Sequence, residues 1–73
     1  MELKLVKIMA PIFEVEESVI SEDASPENIE TWDSLAHMSL VLALEEEFGI
    51  QFTEDQIVES FSFKALVDIL NNI

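Results

Sequence analysis

The 73-residue sequence contains no cysteine, one histidine and only three basic residues, against 16 acidic ones. Without cysteine there is neither a disulfide framework nor a thiolate nucleophile. One histidine leaves a transition-metal site short of ligands, and the acids lack the glycine-punctuated spacing of a calcium loop, so no metal site is predicted. The basic residues Lys4, Lys7 and Lys64 are scattered, whereas phosphate binding relies on clustered ones, which argues against nucleic acid as a partner.

Long apolar runs are also missing. No segment approaches the roughly 20 residues that a membrane-spanning helix needs, and a net charge of −13 would be repelled by anionic lipid, so stable membrane insertion is not expected. The start of the chain lacks the features of a secretory signal, so we expect a cytoplasmic protein. The strong negative charge indicates partners with basic surfaces.

The residues that are present indicate a small helical protein. Its length fits one domain, residues 1–73, with a core only just large enough to fold alone, and we expect a monomer. Apolar residues make up 49% of the chain, and no segment shows the alternation of a strand. The predicted fold class is all-α, a four-helix bundle of three main helices plus one short helix, with a long loop between helices one and two.

The first helix is predicted over residues 2 to 13, where Pro11 is expected to kink it or end it early. From Glu14 to Asp33 the sequence predicts a loop, in which the stretch SPENIE forms one helical turn. Its apolar side chains are expected to hold this loop against the core: Val19, Ile20, Ile29 and Trp32.

The other three helices have clear boundary signals. The second is predicted over about Ser34 to Phe48, and Gly49 suits the left-handed conformation that ends a helix. Thr53 opens a capping box for a short third helix through about Glu59, and Ser62 can cap the fourth.

Apolar residues fall on two faces of the second helix. One face has the spacing of a core stripe: Leu40, Val41, Leu44 and Phe48. The other consists of Leu35, Met38 and Leu42 and leads toward Glu45 and Glu46. This second stripe either widens the core or binds a partner. The carboxyl end of a helix normally favours cations, so acids at this position are unfavourable for the helix itself. Residues that break such a rule tend to occur at functional sites, which favours a partner-binding surface on which both glutamates are exposed.

Ser34 lies where the loop meets the second helix. Its hydroxyl could cap the helix, act as a nucleophile or accept a modification. His37, one turn along, is the only candidate base, and it has no orienting partner in view, so we predict no catalytic residues and no enzyme. A phosphate on Ser34 would instead meet the positive end of the helix, which favours a phosphate ester at this position.

The stretch WDSLAHMSLVLALEEEFGIQF resembles the acyl carrier and peptidyl carrier domains. The resemblance implies that Ser34 carries a covalent 4′-phosphopantetheine, transferred from coenzyme A by a phosphopantetheinyl transferase, with Asp33 beside this metal-assisted reaction. It also implies that acyl groups travel on the arm as thioesters to acyl-loading and acyl-transferring enzymes with basic docking surfaces. Five positions match the family's partner-docking helix: Leu35, Met38, Leu42, Glu45 and Glu46.

Some residues depart from the pattern of fatty-acid carriers. Ala36 and Ser39 stand where many of those carriers have acids. Trp32 is more typical of carriers in specialised pathways, or of carriers of amino acids. We therefore expect an acyl carrier of a specialised lipid or polyketide-type pathway, with an aminoacyl or peptidyl carrier as the alternative. A non-carrier acidic helical adaptor is a third reading. The chain opens with Met1 and ends just past the last helix, which predicts a free-standing carrier, although a module excised from a synthase would look similar.

Overall fold

The computed structural model describes residues 2–72, and within that range every regular element is helical. The four α-helices are α1 (Glu2–Phe13), α2 (Ser34–Phe48), α3 (Glu54–Glu59) and α4 (Phe63–Asn71). The predicted all-α fold of three main helices and one short helix is therefore confirmed. Among the residues described, no helix combines the length and apolar character needed to cross a membrane.

One hydrophobic core joins α1, α2 and α4. Its largest contributions come from side chains spaced three or four residues apart on each helix: Leu5, Met9 and Phe13; Leu40, Val41 and Leu44; Phe63, Leu66 and Leu70. The short α3 has no fully buried residue and adds Ile57, which is partly buried against the core. Apolar burial thus holds α3 less firmly than it holds the other helices.

α1 continues through Pro11 and ends at Phe13, as the sequence predicted. Glu14 then adopts the left-handed conformation, with φ of 56°. The Val15 amide donates to the Ala10 carbonyl at 3.0 Å and the Glu14 amide to the Pro11 carbonyl at 3.3 Å, which is the Schellman pattern. The helix is stopped without a glycine, at a conformational cost of about 1 to 2 kcal/mol for the side chain of Glu14. A kink at Pro11 stays a prediction.

The long connection between α1 and α2 carries short structure of its own. A single 3₁₀ turn at Glu17–Val19 was not predicted from the sequence. The predicted turn within SPENIE is confirmed, because the Ile29 amide donates to the Ser25 carbonyl at 2.9 Å. Asn28 adds a bond from its side-chain amide to the Asp23 carbonyl at 2.8 Å. Hydrogen bonds within the loop thus give it local structure of its own.

Three of the four residues expected to hold this loop against the core are buried: Ile20, Ile29 and Trp32. The prediction for Val19 is wrong, since it is about half exposed. Val19 is the last residue of the 3₁₀ turn, and the next side chain, that of Ile20, is the one that points into the core. Ala24 is buried instead, and its carbonyl accepts from the Phe63 amide at 2.9 Å, which joins the loop to the start of α4.

Candidate functional site

Ser34 is the first residue of α2, as the sequence predicted, and it is exposed. Asp33 precedes it in an extended conformation and caps the helix, because its Oδ1 accepts from the Ala36 amide at 2.8 Å. The capping function that the sequence left open for Ser34 therefore belongs to Asp33. The Ser34 hydroxyl is left facing solvent at the end of a 15-residue helix.

The groups around this hydroxyl suit a phosphate ester. The amides of Ser34 and Leu35 are the first two of the helix and have no carbonyl one turn earlier to bind. Together with the aligned peptide dipoles of α2 they place partial positive charge at the end from which Ser34 projects. Ala36 and His37 use their amides for Asp33 Oδ1 and the Asp33 carbonyl, at 2.8 and 2.9 Å. The donors that remain fit an attached phosphoryl group.

A buried hydrogen-bonded chain lies directly behind the junction. Trp32 Nε1–H donates to His37 Nδ1 at 3.0 Å, so Nδ1 carries no proton and the neutral ring is protonated on Nε2. That Nε2–H faces Ser60 Oγ at 2.9 Å and the Ile57 carbonyl at 3.2 Å. Ser60 Oγ–H in turn donates to the Ile57 carbonyl at 2.9 Å, so its oxygen is available to accept from His37. The single histidine thereby connects the residues before Ser34 to the end of α3.

His37 is part of the interior and not of the surface. Its ring stacks on Phe61 with centroids 3.7 Å apart, while Trp32 stacks on Phe13 at 4.8 Å. Burial lowers the pKa of His37 below its ordinary value, although the hydrogen bond to the Ile57 carbonyl opposes this. The sequence offered His37 only as a candidate base and did not indicate that it is buried. Both ring nitrogens are occupied, so the imidazole has none left to act as a base toward Ser34.

The second apolar stripe of α2 faces solvent. Leu35 is 82% exposed, Leu42 60% and Met38 45%. The alternative that these residues widen the core is excluded, because the core contacts of α2 come from the opposite face. Contiguous exposed apolar residues are typical of interaction surfaces, so this stripe is a candidate for one. We call Leu35, Met38 and Leu42 the exposed stripe.

Glu45 differs from the residue next to it. Its side chain is half-buried, and Oε2 accepts from the Phe52 amide at 2.8 Å. Its carbonyl accepts from the amides of Gly49 and Ile50, which closes the carboxyl end of α2 with Gly49 in the left-handed conformation. The prediction that Glu45 is exposed is wrong, since its carboxylate orders the turn after the helix.

The other two acids at the end of α2 are accessible. Glu46 is exposed, as predicted, and borders the exposed stripe in sequence. Glu47 points toward α1, where its carboxylate lies 3.4 Å from Lys4 Nζ, with both side chains about half exposed. Such a surface ion pair stabilises little. Of the three glutamates, Glu46 is the one whose charge is both exposed and without a structural task in the part of the chain described.

Two further exposed apolar residues were missed by the sequence interpretation. Val58 on α3 is 72% exposed, and Phe61, just after α3, is 38% exposed while one face of its ring covers His37. The helical spacing of a six-residue helix contains too little pattern to show which apolar residues face outward. Only the packing of α3 shows that Ile57 takes the inward position and leaves Val58 outside.

An open cleft of about 270 Å³ lies elsewhere, along α4. It is lined by residues of α1, the long loop and α4: Glu2, Glu22, Phe63, Lys64, Val67, Asp68 and Asn71. No residue of α2 lines this cleft. It is therefore separate from the surface formed by Ser34 and the exposed stripe.

Comparison with known proteins shows the family of the chain. The family model described as a phosphopantetheine attachment site matches residues 4–70. An acyl carrier protein of Thermosynechococcus vestitus is 32% identical over 56 residues, which cover 77% of this chain and 68% of that protein. The family match begins in α1 and ends in α4, so it takes in the whole bundle. The chain thus belongs to the acyl carrier protein family, as a carrier for covalently attached 4′-phosphopantetheine and not as an enzyme.

Proposed function

We propose that Ser34 is the attachment residue, and that the protein carries acyl intermediates to partner enzymes of a specialised lipid or polyketide-type pathway. The observation that supports this most is the exposed Ser34 hydroxyl at the amino end of α2, relieved of capping by Asp33. When attached, 4′-phosphopantetheine supplies the terminal thiol on which acyl groups are held as thioesters, a group that a chain without cysteine cannot provide.

The residues beside Ser34 have distinct tasks in this proposal. The amides of Ser34 and Leu35 face the phosphoryl group, and the dipoles of α2 favour its negative charge. Asp33 holds the first turn of the helix through the Ala36 amide. In this proposal Asp33 also lies beside the metal-assisted transfer of the arm from coenzyme A.

Partner enzymes dock on the exposed stripe in this proposal. Leu35, Met38 and Leu42 provide apolar contact area, and Glu46 directs a basic enzyme surface toward it. The partners are a phosphopantetheinyl transferase and the acyl-loading and acyl-transferring enzymes. Glu45 borders the same surface, but its carboxylate also holds the Phe52 amide, so its part in docking is a prediction that needs a variant keeping that bond.

The attachment site is tested by mass. Wild-type protein is incubated with coenzyme A and a phosphopantetheinyl transferase of broad acceptance, and the intact mass is measured. Ser34→Ala is compared with Ser39→Ala, a matched control because Ser39 is an exposed serine on the same helix. We expect the mass increase of one arm on wild type and Ser39→Ala and none on Ser34→Ala. An arm on Ser34→Ala, or an unmodified wild type with an active transferase, contradicts the proposal.

The pathway, the monomeric single domain of residues 1–73 and the cytoplasmic location are further parts of the proposal. The absence of acids at Ala36 and Ser39 supports a pathway other than ordinary fatty-acid synthesis. The mass of the cargo on protein isolated from its own cells tests this directly. A simple saturated acyl series would contradict a specialised pathway, and an aminoacyl or peptidyl mass would favour the alternative carrier class.

A further inference from the structure

Ser34 lies inside a short ring of chain that a buried side-chain hydrogen bond closes. The ring runs from Trp32 to His37, and the bond from Trp32 Nε1–H to His37 Nδ1, 3.0 Å long, joins its two ends. Within the ring the His37 amide donates to the Asp33 carbonyl at 2.9 Å, which is the first hydrogen bond of α2. His37 therefore holds the ring through its main chain and its side chain at once.

The tryptophan end of the ring is itself anchored. Trp32 is buried, stacks on Phe13 of α1 at 4.8 Å, and its amide donates to the Ile29 carbonyl at 3.0 Å. Trp32, which directly precedes the Asp33 cap, is thus held against α1 and the long loop. Ser34, in the middle of the ring, has no anchor of its own in the core, since its side chain is exposed.

The opposite side of the imidazole holds α3. Nε2–H reaches Ser60 Oγ at 2.9 Å, and Phe61 covers the ring face at 3.7 Å. Because α3 buries no side chain fully, these contacts are a large part of what attaches its carboxyl end to α2. One buried residue therefore contacts both the junction beside Ser34 and the neighbouring short helix.

We propose that His37 is a positioning residue for the modification of Ser34, acting through its hydrogen bond to Trp32, which holds the junction in the conformation that the transferase binds. The inference rests on the proposed attachment at Ser34. It requires that the two ring nitrogens have separable effects: Nδ1 sets the junction, and Nε2 sets α3.

Two substitutions at His37 separate these effects. Asn places its Oδ1 near the position of Nδ1, so His37→Asn keeps an acceptor for Trp32 and loses the reach to Ser60. Gln places its amide near the position of Nε2, so His37→Gln keeps a donor to Ser60 and leaves the indole N–H without a partner. Trp32→Phe removes the indole donor from the other end and keeps an aromatic ring against Phe13.

The first measurement is the kinetics of arm transfer from coenzyme A, with KM for the carrier and kcat determined separately. Loss of one hydrogen bond corresponds to about a fivefold effect, so we expect KM to rise about fivefold in His37→Gln and Trp32→Phe, with kcat little changed. We expect His37→Asn and Ser60→Ala to keep KM within about twofold. Combining Trp32→Phe with His37→Gln should add little to either, because both remove one bond.

Leu70→Val and Leu70→Ala serve as stability controls, because Leu70 is buried in α4 and is not a member of the ring. Leu70→Val is expected to lower Tm less than the test variants do, and Leu70→Ala to lower it more. The assays of all variants are run well below their Tm. A normal KM for Trp32→Phe and His37→Gln overturns the inference. An equal rise in KM for the Leu70 variants of matched Tm also overturns it, because stability alone would then explain the effect.

The second measurement does not depend on modification. Hydrogen exchange of the Ala36 and His37 amides reports on the capped first turn beside Ser34. We expect exchange at both positions to quicken about fivefold in Trp32→Phe and not in the Leu70 controls. If the wild type accepts no arm, the proposed attachment fails, and this exchange comparison still decides whether the bond holds the junction. Unchanged exchange in Trp32→Phe overturns the positioning role.

Discussion

The two apolar faces of α2 have similar composition and opposite surroundings. Leu40, Val41 and Leu44 are fully buried, while Leu35 and Leu42 on the same helix are largely exposed. The sequence alone shows both stripes at helical spacing and cannot assign them by hydrophobicity. The difference teaches that apolar residues at the same helical spacing can lie in opposite surroundings on one helix, and only the packing shows which stripe is buried and which meets solvent.

The largest expected effect is on stability, from a matched pair of leucine substitutions. Leu40→Ala should lower the free energy of unfolding by about 2 to 5 kcal/mol, because it leaves a cavity in the core. Leu42→Ala should change it by no more than about 0.5 kcal/mol, because its side chain already contacts water. Denaturant unfolding followed by the fluorescence of Trp32, the one tryptophan in the sequence, measures both. Equal losses would remove the distinction between the faces.

The exposed stripe should show its effect when partner binding is measured. Met38→Ala and Leu42→Ala are expected to raise KM for the transferase by about tenfold, the effect of a moderate interface hot spot. Val19→Ala is the control, because Val19 is an exposed apolar residue of the long loop and is expected to have no effect. A tenfold effect of Val19→Ala as well would show that apolar exposure in general, and not the exposed stripe, governs recognition.

A smaller effect is expected at the acidic border of the exposed stripe. Glu46→Lys should weaken binding of a basic partner several-fold at low salt and less at high salt, because exposed charges are screened. Glu45→Gln should cost little stability, since a glutamine oxygen can still accept from the Phe52 amide, whereas Glu45→Ala should lose that bond. Binding measured at two salt concentrations, with unfolding curves beside it, separates charge from structure. A salt-independent loss in Glu46→Lys would contradict the electrostatic role.

The smallest expected effect is the dependence of stability on pH that comes from the buried His37. Burial lowers the pKa of His37 from its ordinary value of 6.5. Just below pH 6.5, His37 therefore binds a proton in the unfolded chain more readily than in the folded chain. The contribution of His37 to stability is therefore present above this value and decreases as the pH falls through it. The 16 acidic residues are present in both proteins, so comparing wild type with His37→Gln isolates the contribution of His37. We expect the stability gap between them to narrow from about pH 7.5 to about pH 5.5, and a constant gap would contradict the buried neutral ring.

Helix boundaries were the most predictable part of the fold, since each has a local chemical cause. Asp33, Thr53 and Ser62 each cap a helix through a side-chain oxygen, and Gly49 ends α2 with φ of 63°. Thr53 and Gln56 form the predicted capping box. These signals involve residues three or four positions apart, so the local sequence suffices to identify them.

The burial of His37 and Glu45 has a different cause, since each side chain has an environment that comes from residues outside its own helical turn. His37 is buried because Trp32, Ile57 and Ser60 meet its two nitrogens, and Glu45 is half-buried because Phe52 turns back onto it. Hydrophobicity ranks neither residue as interior. Local pattern could not have found these partners, which lie 5 to 23 positions away along the chain.

The sequence by itself determined the helices, their ends, the acidic charge and the serine at the start of α2, because capping, helical period and net charge are properties of neighbouring residues. Tertiary structure alone decided which apolar stripe of α2 meets water, that the single histidine is a neutral internal connection, and that Asp33 leaves the Ser34 hydroxyl exposed. Those features depend on how α1, α3 and the long loop close around α2, and burial is settled only when all of them are in place.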